Sequence, residues 1–218
     1  NFPSLGLLTA LRFLEWVSEN PEGVISLPTG KTPEYFIKWV QRILRKWNNK
    51  EIQMILNEKG LTVKRKPNLK GLRFVQIDEF YPINPDQHNS FYNYVMNYYI
   101  DGFGLNQDRA CLINCNEIPR ETDAGLNEIF PDYHVDLSLR FRDPESKLEE
   151  IQQRTIHLVD QWCSEYEDAI RNIGGIGFFI GGIGPDGHVA FNISGSDHHS
   201  ATRLMETNFE TQAAAAVD

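Results

Sequence analysis

Asp186, Gly187 and His188 follow one another directly, and a histidine flanked this way can be oriented by the carboxylate to exchange protons near neutral pH. Five glycines fall between Gly177 and Gly187, giving the backbone more freedom than a simple turn requires, which points to close approach of a ligand. The competing reading is a turn carrying a solvated histidine. A second acidic pair, Asp78-Glu79, closes an apolar run, where partial desolvation would lift a carboxylate pKa toward the range useful for moving protons to and from carbon. Strand periodicity puts the two acids on opposite faces without saying which points inward, and the plainer alternative is a cap for the next helix. Thr29-Gly30-Lys31-Thr32 forms a third group. Amide N–H groups near a helix start attract anions, so this turn could hold a phosphate, with Lys31 adding charge. Its competitor is an ordinary helix-capping turn. It has neither the Walker nor the dinucleotide glycine spacing.

His198-His199 beside Asp197 invites a metal reading, but adjacent histidines rarely share an ion and no Glu/His pair stands four residues apart nearby. A solvated loop is expected there, and no metal site. The aromatic stripe Phe91, Tyr92, Tyr94, Tyr98 and Tyr99 reads as core and interface packing rather than a base-stacking platform, given the acidic charge balance.

Short β-branched or aromatic runs alternate with longer amphipathic stretches, the pattern of βαβ units. Leu7, Leu8, Leu11, Leu14 and Val17 predict a helix over 5–18 behind a Ser4 cap, and Val24 to Leu27 a buried strand. Tyr35, Phe36, Trp39, Val40, Ile43, Leu44 and Trp47 mark a second helix. Strands are expected over 72–77, 110–114 and 176–180, the last the clearest buried strand, and helices over 90–100 and 148–170. The stretch 116–146, with Pro119, Pro131 and Pro144, reads as an irregular insertion away from the core. The expected architecture is a single α/β domain over 1–218, a Rossmann-like three-layer sandwich with a mostly parallel sheet. In such sheets ligands bind beyond the carboxyl ends of the strands, where the three polar groups above would sit.

A formal charge of -9 without long single-sign runs leaves no footprint for a nucleic-acid backbone. The one basic cluster, Lys64, Arg65, Lys66 and Lys70, reads as a solvated loop. Three cysteines, Cys111, Cys115 and Cys163, match neither a zinc site nor a disulfide framework, so a reducing, cytoplasmic setting is expected. No apolar run reaches the roughly 18 residues of a membrane span, and no membrane partner is expected. The chain begins without Met and ends near the helix-prone run Ala213 to Ala216, so both ends are expected to be cuts in a longer chain.

On three motifs the chain resembles the glucosamine-6-phosphate deaminase/isomerase family, whose wider kin include 6-phosphogluconolactonases. They are Leu27-Pro28-Thr29-Gly30 with Thr32-Pro33, Asp78-Glu79-Phe80, and Gly182-Ile183-Gly184-Pro185-Asp186-Gly187-His188-Val189-Ala190-Phe191-Asn192. The Ala-Phe-Asn ending is similar to the deaminase branch. The resemblance implies conversion of glucosamine 6-phosphate, or its galactosamine epimer, and water to a ketose 6-phosphate and ammonia, with no cofactor. It implies that Asp78 takes the C2 proton and returns it at C1, and that His188, supported by Asp186, opens the pyranose ring. Thr29, Gly30, Lys31 and Thr32, together with Glu79 and Gly182, Ile183 and Gly184, would bind the sugar phosphate. A homo-oligomer is implied by analogy.

The chain also departs from the family. Ile193 stands where deaminases usually carry a Glu that supports the ring-opening histidine, so ring opening would lean on Asp186 or on an acid elsewhere. Lys31 replaces the second glycine of the phosphate loop. Ser196 and Arg203 match positions that hold an allosteric phosphosugar in some bacterial deaminases, but Met205 replaces the Lys expected nearby. The family's fold normally continues past residue 218 with a further phosphate-binding Lys. Two alternatives stay open: a lactonase in which His188 activates water, and a phosphosugar-sensing domain.

Overall fold

The structure, a computed structural model, describes residues 1–61, 63–184 and 186–209. The Ala213–Ala216 run and Pro185 lie outside the described residues. By internal contacts the chain divides into two compact units, each taken by itself below. The first comprises Asn1–Ile77, Tyr94–Cys111 and Gly175–Gly182, and the second Asp78–Asn93, Leu112–Gly174 and Ile183–Asp218.

The first unit holds a four-stranded sheet in the order β3-β2-β1-β4, formed by β1 (Val24–Ser26), β2 (Arg73–Val75), β3 (Ala110–Cys111) and β4 (Phe178–Phe179). Every pairing is parallel, with Ile25 opposite Phe74 on one side and Phe178 on the other. This is the α/β class the alternating pattern predicts, with shorter strands than the apolar runs suggested. Helix α1 (Phe2–Glu19) is capped by the Asn1 side chain, which accepts from the Ser4 amide, so the cap lies three residues ahead of the expected Ser4. Helix α2 (Glu34–Arg45) crosses α1 closely at Gly6, where a Cβ would fall 2.5 Å from that of Tyr35. The helix α3 (Lys50–Glu58), capped by Asn49, was not anticipated from the sequence.

Aromatic packing ties the helices to the sheet. The Phe13 ring lies 5.5 Å from both Phe36 and Phe178, and Phe74 lies 5.6 Å from Tyr99. Strand β4 departs from expectation: Phe179 is 50% exposed and Ile176 is 40% exposed. The run is apolar enough for a buried strand, but among the described residues β4 pairs only with β1 and so forms an edge of the sheet. The expected helix over 90–100 begins as α4 (Phe91–Val95) and continues as a π-helical turn, Met96–Asp101.

The second unit is built on the long helix α6 (Lys147–Asn172), capped by Ser146, and the short α5 (Leu126–Ile129). The segment 116–146 is irregular, as its prolines predict, with 3-10 turns at Pro131–Tyr133 and Leu137–Arg140. It is not, however, an excursion from a core. Ile129, Phe130 and Leu139 pack with Ile156 of α6 into a buried cluster joined by Tyr81 and Ile151, because even a segment without long elements must remove its large apolar side chains from water. Arg140 clamps this layer, donating to both carboxylate oxygens of Asp160 and to the Leu204 carbonyl.

Candidate active site

Asp78 opens the second unit, three residues beyond β2. Burial raises its carboxyl pKa from the ordinary 3.8 to about 7, and the charge of Glu79 adds to the rise. Glu79 is held by hydrogen bonds from the chain around it. One of its oxygens accepts from the Phe80 and Phe91 amides (2.9 and 3.0 Å), and the other from the Ser90 hydroxyl and Tyr92 amide (2.8 and 2.7 Å). Burial pushes its pKa up, and these four donors oppose the shift. A carboxylate has about four lone-pair sites, so its acceptor capacity is filled inside the chain. Glu79 is expected from the resemblance to bind substrate; in the structure it caps α4 and fixes the loop that carries Asp78.

The glycine-rich loop places His188 on Asp186, Nδ1 to Oδ1 at 2.6 Å, with only 15% and 12% of the two side-chain surfaces exposed. The other oxygen of Asp186 accepts from the Asn208 side chain at 2.9 Å, and this bond, with the histidine's, holds the Asp186 pKa down to about 2 despite burial. An ionised carboxylate can only accept, so Nδ1 carries the proton in this pair. Gly184 makes room for the ring: a Cβ there would meet imidazole atoms at 2.1 to 2.4 Å.

Beyond His188 the chain reverses through Val189–Asn192, whose amides and carbonyls bond both ways across the turn. Both central residues, Ala190 and Phe191, are left-handed (φ 51° and 56°), a conformation normally left to glycine or asparagine. The Phe191 ring is held by three neighbours, stacked on Phe91 at 5.6 Å, tilted against Phe80 at 4.9 Å and lying 5.6 Å from the His188 ring. Phe80 is two residues past Asp78. The Asp78 loop and the histidine loop therefore meet through this aromatic cluster, inside one unit.

In the first unit, Gly30 is left-handed (φ 81°) between β1 and α2. Its carbonyl accepts from the Tyr94 hydroxyl at 2.9 Å, and the Pro28 carbonyl from the Tyr99 hydroxyl at 2.5 Å. Burial keeps both phenols protonated by raising their pKa values. Among the described residues no side chain caps α2 at Pro33. Gly182 lies against Thr32, where a Cβ would stand 3.8 Å from the Thr32 hydroxyl.

Of the remaining predicted residues, Ile183 projects into solvent with 76% exposure. Arg203 donates to the Asn192 side chain at 2.8 Å and to the Ala201 carbonyl, so it braces the end of the histidine loop. The Ser196 hydroxyl is buried without a hydrogen-bond partner among the described residues. Lys64, Arg65 and Lys66 are exposed and outside any helix or strand, as a solvated loop would be, and they line a cavity of about 340 Å³ with Val17 and Pro21 that includes no predicted site residue. No cluster of three or more metal-ligating side chains occurs among the described residues. No helix among them is long and apolar enough to cross a membrane. Sequence reasoning missed Asn208, Tyr94 and Tyr99. Their partners are 22, 64 and 71 residues away in the chain, so no local spacing announces them.

No family model matches the chain. Part of it is similar to curated glucosamine-6-phosphate deaminases. It is 45% identical over 69 residues to the one from Caenorhabditis elegans (28% of this chain, 26% of the relative). To the one from Borrelia hermsii it is 55% identical over 49 residues (22% and 18%), and to that of Bacteroides fragilis 56% over 53 (24% and 20%). The matched stretch thus spans about a fifth to a quarter of these relatives. In fold the chain resembles a solved monomeric glucosamine-6-phosphate deaminase, with a TM-score of 0.66 and 19% identity over 98% of this chain and 65% of that one.

Proposed function

We propose that this chain, a relative of the glucosamine-6-phosphate deaminases, converts an aminosugar 6-phosphate and water to a ketose 6-phosphate and ammonia. The observation that carries the reading is the division of labour in the second unit. Asp78 has a pKa near 7, whereas Asp186 is held ionised at about 2 and orients His188. Two acid-base groups with such different environments suit two different proton transfers.

In the proposed reaction, Nε2 of His188 carries a proton to the ring oxygen as the pyranose opens to the aldehyde. Ionised Asp78 removes the proton from C2, which bears the amine, and the electrons of that bond form the C1–C2 double bond as the aldehyde oxygen takes a proton. Asp78 then returns its proton to C1, leaving an imine at C2. Water adds at C2, and the C–N bond breaks as ammonia departs with the proton it needs. Substrate plus water equals ketose phosphate plus ammonia, so the balance requires no redox partner. Support for the histidine comes from Asp186 and Asn208, which answers the Ile193 departure without an acid at that position.

The assignment of the 6-phosphate to Thr29, Gly30, Lys31 and Thr32, with the Gly182–Gly184 amides, is part of this proposal and rests on the resemblance and on the local backbone of the turn. Glu79 is assigned to positioning instead, and Arg203 is assigned to bracing the loop through Asn192. The reaction runs on one chain, as in the monomeric relative, so self-association is not required. Three free thiols suit a reducing, cytoplasmic compartment. Incubation with glucosamine 6-phosphate, galactosamine 6-phosphate and unphosphorylated glucosamine, following ammonia and ketose together, tests the reading. Equimolar ammonia and ketose from a phosphorylated aminosugar are expected. Hydrolysis of 6-phosphogluconolactone with no ammonia from any aminosugar would overturn it.

A further inference from the structure

The two tyrosines beneath the Pro28–Pro33 turn are five residues apart, and in an α-helix residues five apart point to different faces. A π-helical turn pairs i with i+5, which brings such residues onto one side. Met96–Asp101, which follows α4 and holds Tyr99, is such a turn, and the Tyr99 ring lies 6.1 Å from the ring of Tyr94 near the end of α4. Their hydroxyls reach carbonyls that are themselves two residues apart, Tyr99 to Pro28 and Tyr94 to Gly30.

The Pro28–Thr29 and Gly30–Lys31 peptides are trans, since among the described residues the cis bond is Tyr81–Pro82. In a trans peptide the carbonyl and the following N–H point in opposite directions. Holding the Pro28 and Gly30 carbonyls against the tyrosines therefore turns the Thr29 and Lys31 amides to the other side of the loop. A phenol hydroxyl is suited to this work, because once buried it stays a neutral donor and adds no negative charge beneath an anion site.

We propose that the π-turn is a positioning device in which Tyr94 and Tyr99 fix the turn at Gly30 so that the Thr29 and Lys31 amides face a phosphate group of the ligand. Tyr94 and Tyr99 are positioning residues that act through the loop backbone. This rests on the function proposed above only for the identity of the phosphate ester; the anion site itself can be probed without turnover.

The test compares the wild-type chain with Tyr94→Phe, Tyr99→Phe and the double variant, each of which keeps its ring and removes a hydroxyl. The readouts are binding of inorganic phosphate and, for aminosugar 6-phosphate turnover, KM and kcat separately. Loss of one donor is expected to weaken phosphate binding and raise KM about fivefold to tenfold, with kcat changed less than about twofold. Amide exchange at Thr29 and Lys31 is expected to accelerate in parallel. Phosphate affinity and loop exchange unchanged within about twofold in the double variant would overturn the proposal. If Tyr99→Phe, whose ring is fully buried, fails to fold, Tyr94→Phe alone decides, because its side chain is only partly buried. A wild type that binds phosphate but releases no ammonia sinks the reaction and leaves the positioning result standing. Turnover with unaltered phosphate binding in the variants does the reverse.

Discussion

The chemistry proposed for Asp78 and His188 rests on what surrounds them rather than on their position in a motif. Folding raises the Asp78 pKa from 3.8 to about 7, so the native state holds that proton more tightly than the unfolded chain. The contribution to stability is therefore undiminished below about pH 4, falls as pH rises toward 7, and is flat beyond. Asp78→Asn removes the decline. It is expected to raise stability at pH 8 by on the order of 4 kcal/mol and to change it little at pH 4, as denaturant titrations at the two pH values would read. In the wild type kcat/KM should climb with pH through about 7, because the carboxylate must be ionised to accept a proton. Gly184→Ala places a methyl group in the His188 ring and is expected to lower kcat by at least about a hundredfold. Circular dichroism would show whether the fold survives the change.

At the scale of elements, the site hangs on a cap and a strained turn. Glu79→Ala leaves four donors without their acceptor and should cost about 2–3 kcal/mol, whereas Glu79→Gln, which retains one acceptor oxygen, should cost less. Thermal denaturation of the pair measures the difference. Ala190→Gly relieves one of two adjacent left-handed residues and should stabilise the protein by about 0.5–1 kcal/mol, with a several-fold loss of kcat as the turn that orients Phe191 loosens. The motifs were legible in the sequence because glycine, aspartate and histidine announce themselves by type. The reversal at Ala190 and Phe191 was not: neither residue signals a left-handed turn, and the aromatic contacts that hold it come from Phe80 and Phe91. The π-turn was equally hidden, since an aromatic stripe fits α periodicity well enough until tertiary bonds from Tyr94 and Tyr99 show which face they share.

For the molecule as a whole, the parallel sheet could be anticipated from alternation alone, because short apolar runs between amphipathic stretches have few other solutions. The exposure of β4 could not, since an edge strand and a central one carry the same apolar composition when read alone. Nor could the order within 116–146 be anticipated, because its cluster of Ile129, Phe130 and Leu139 has no periodicity and becomes a core only when α6 packs on it. The central claim is that Asp78 moves the C2 proton of an aminosugar phosphate. It is tested most directly in deuterated water, following exchange or transfer of the substrate C2 proton by NMR alongside ammonia release. The wild type is expected to do both, and Asp78→Asn neither, while still binding phosphate. An Asp78→Asn variant that mobilises the C2 proton and releases ammonia at the wild-type rate would contradict the account.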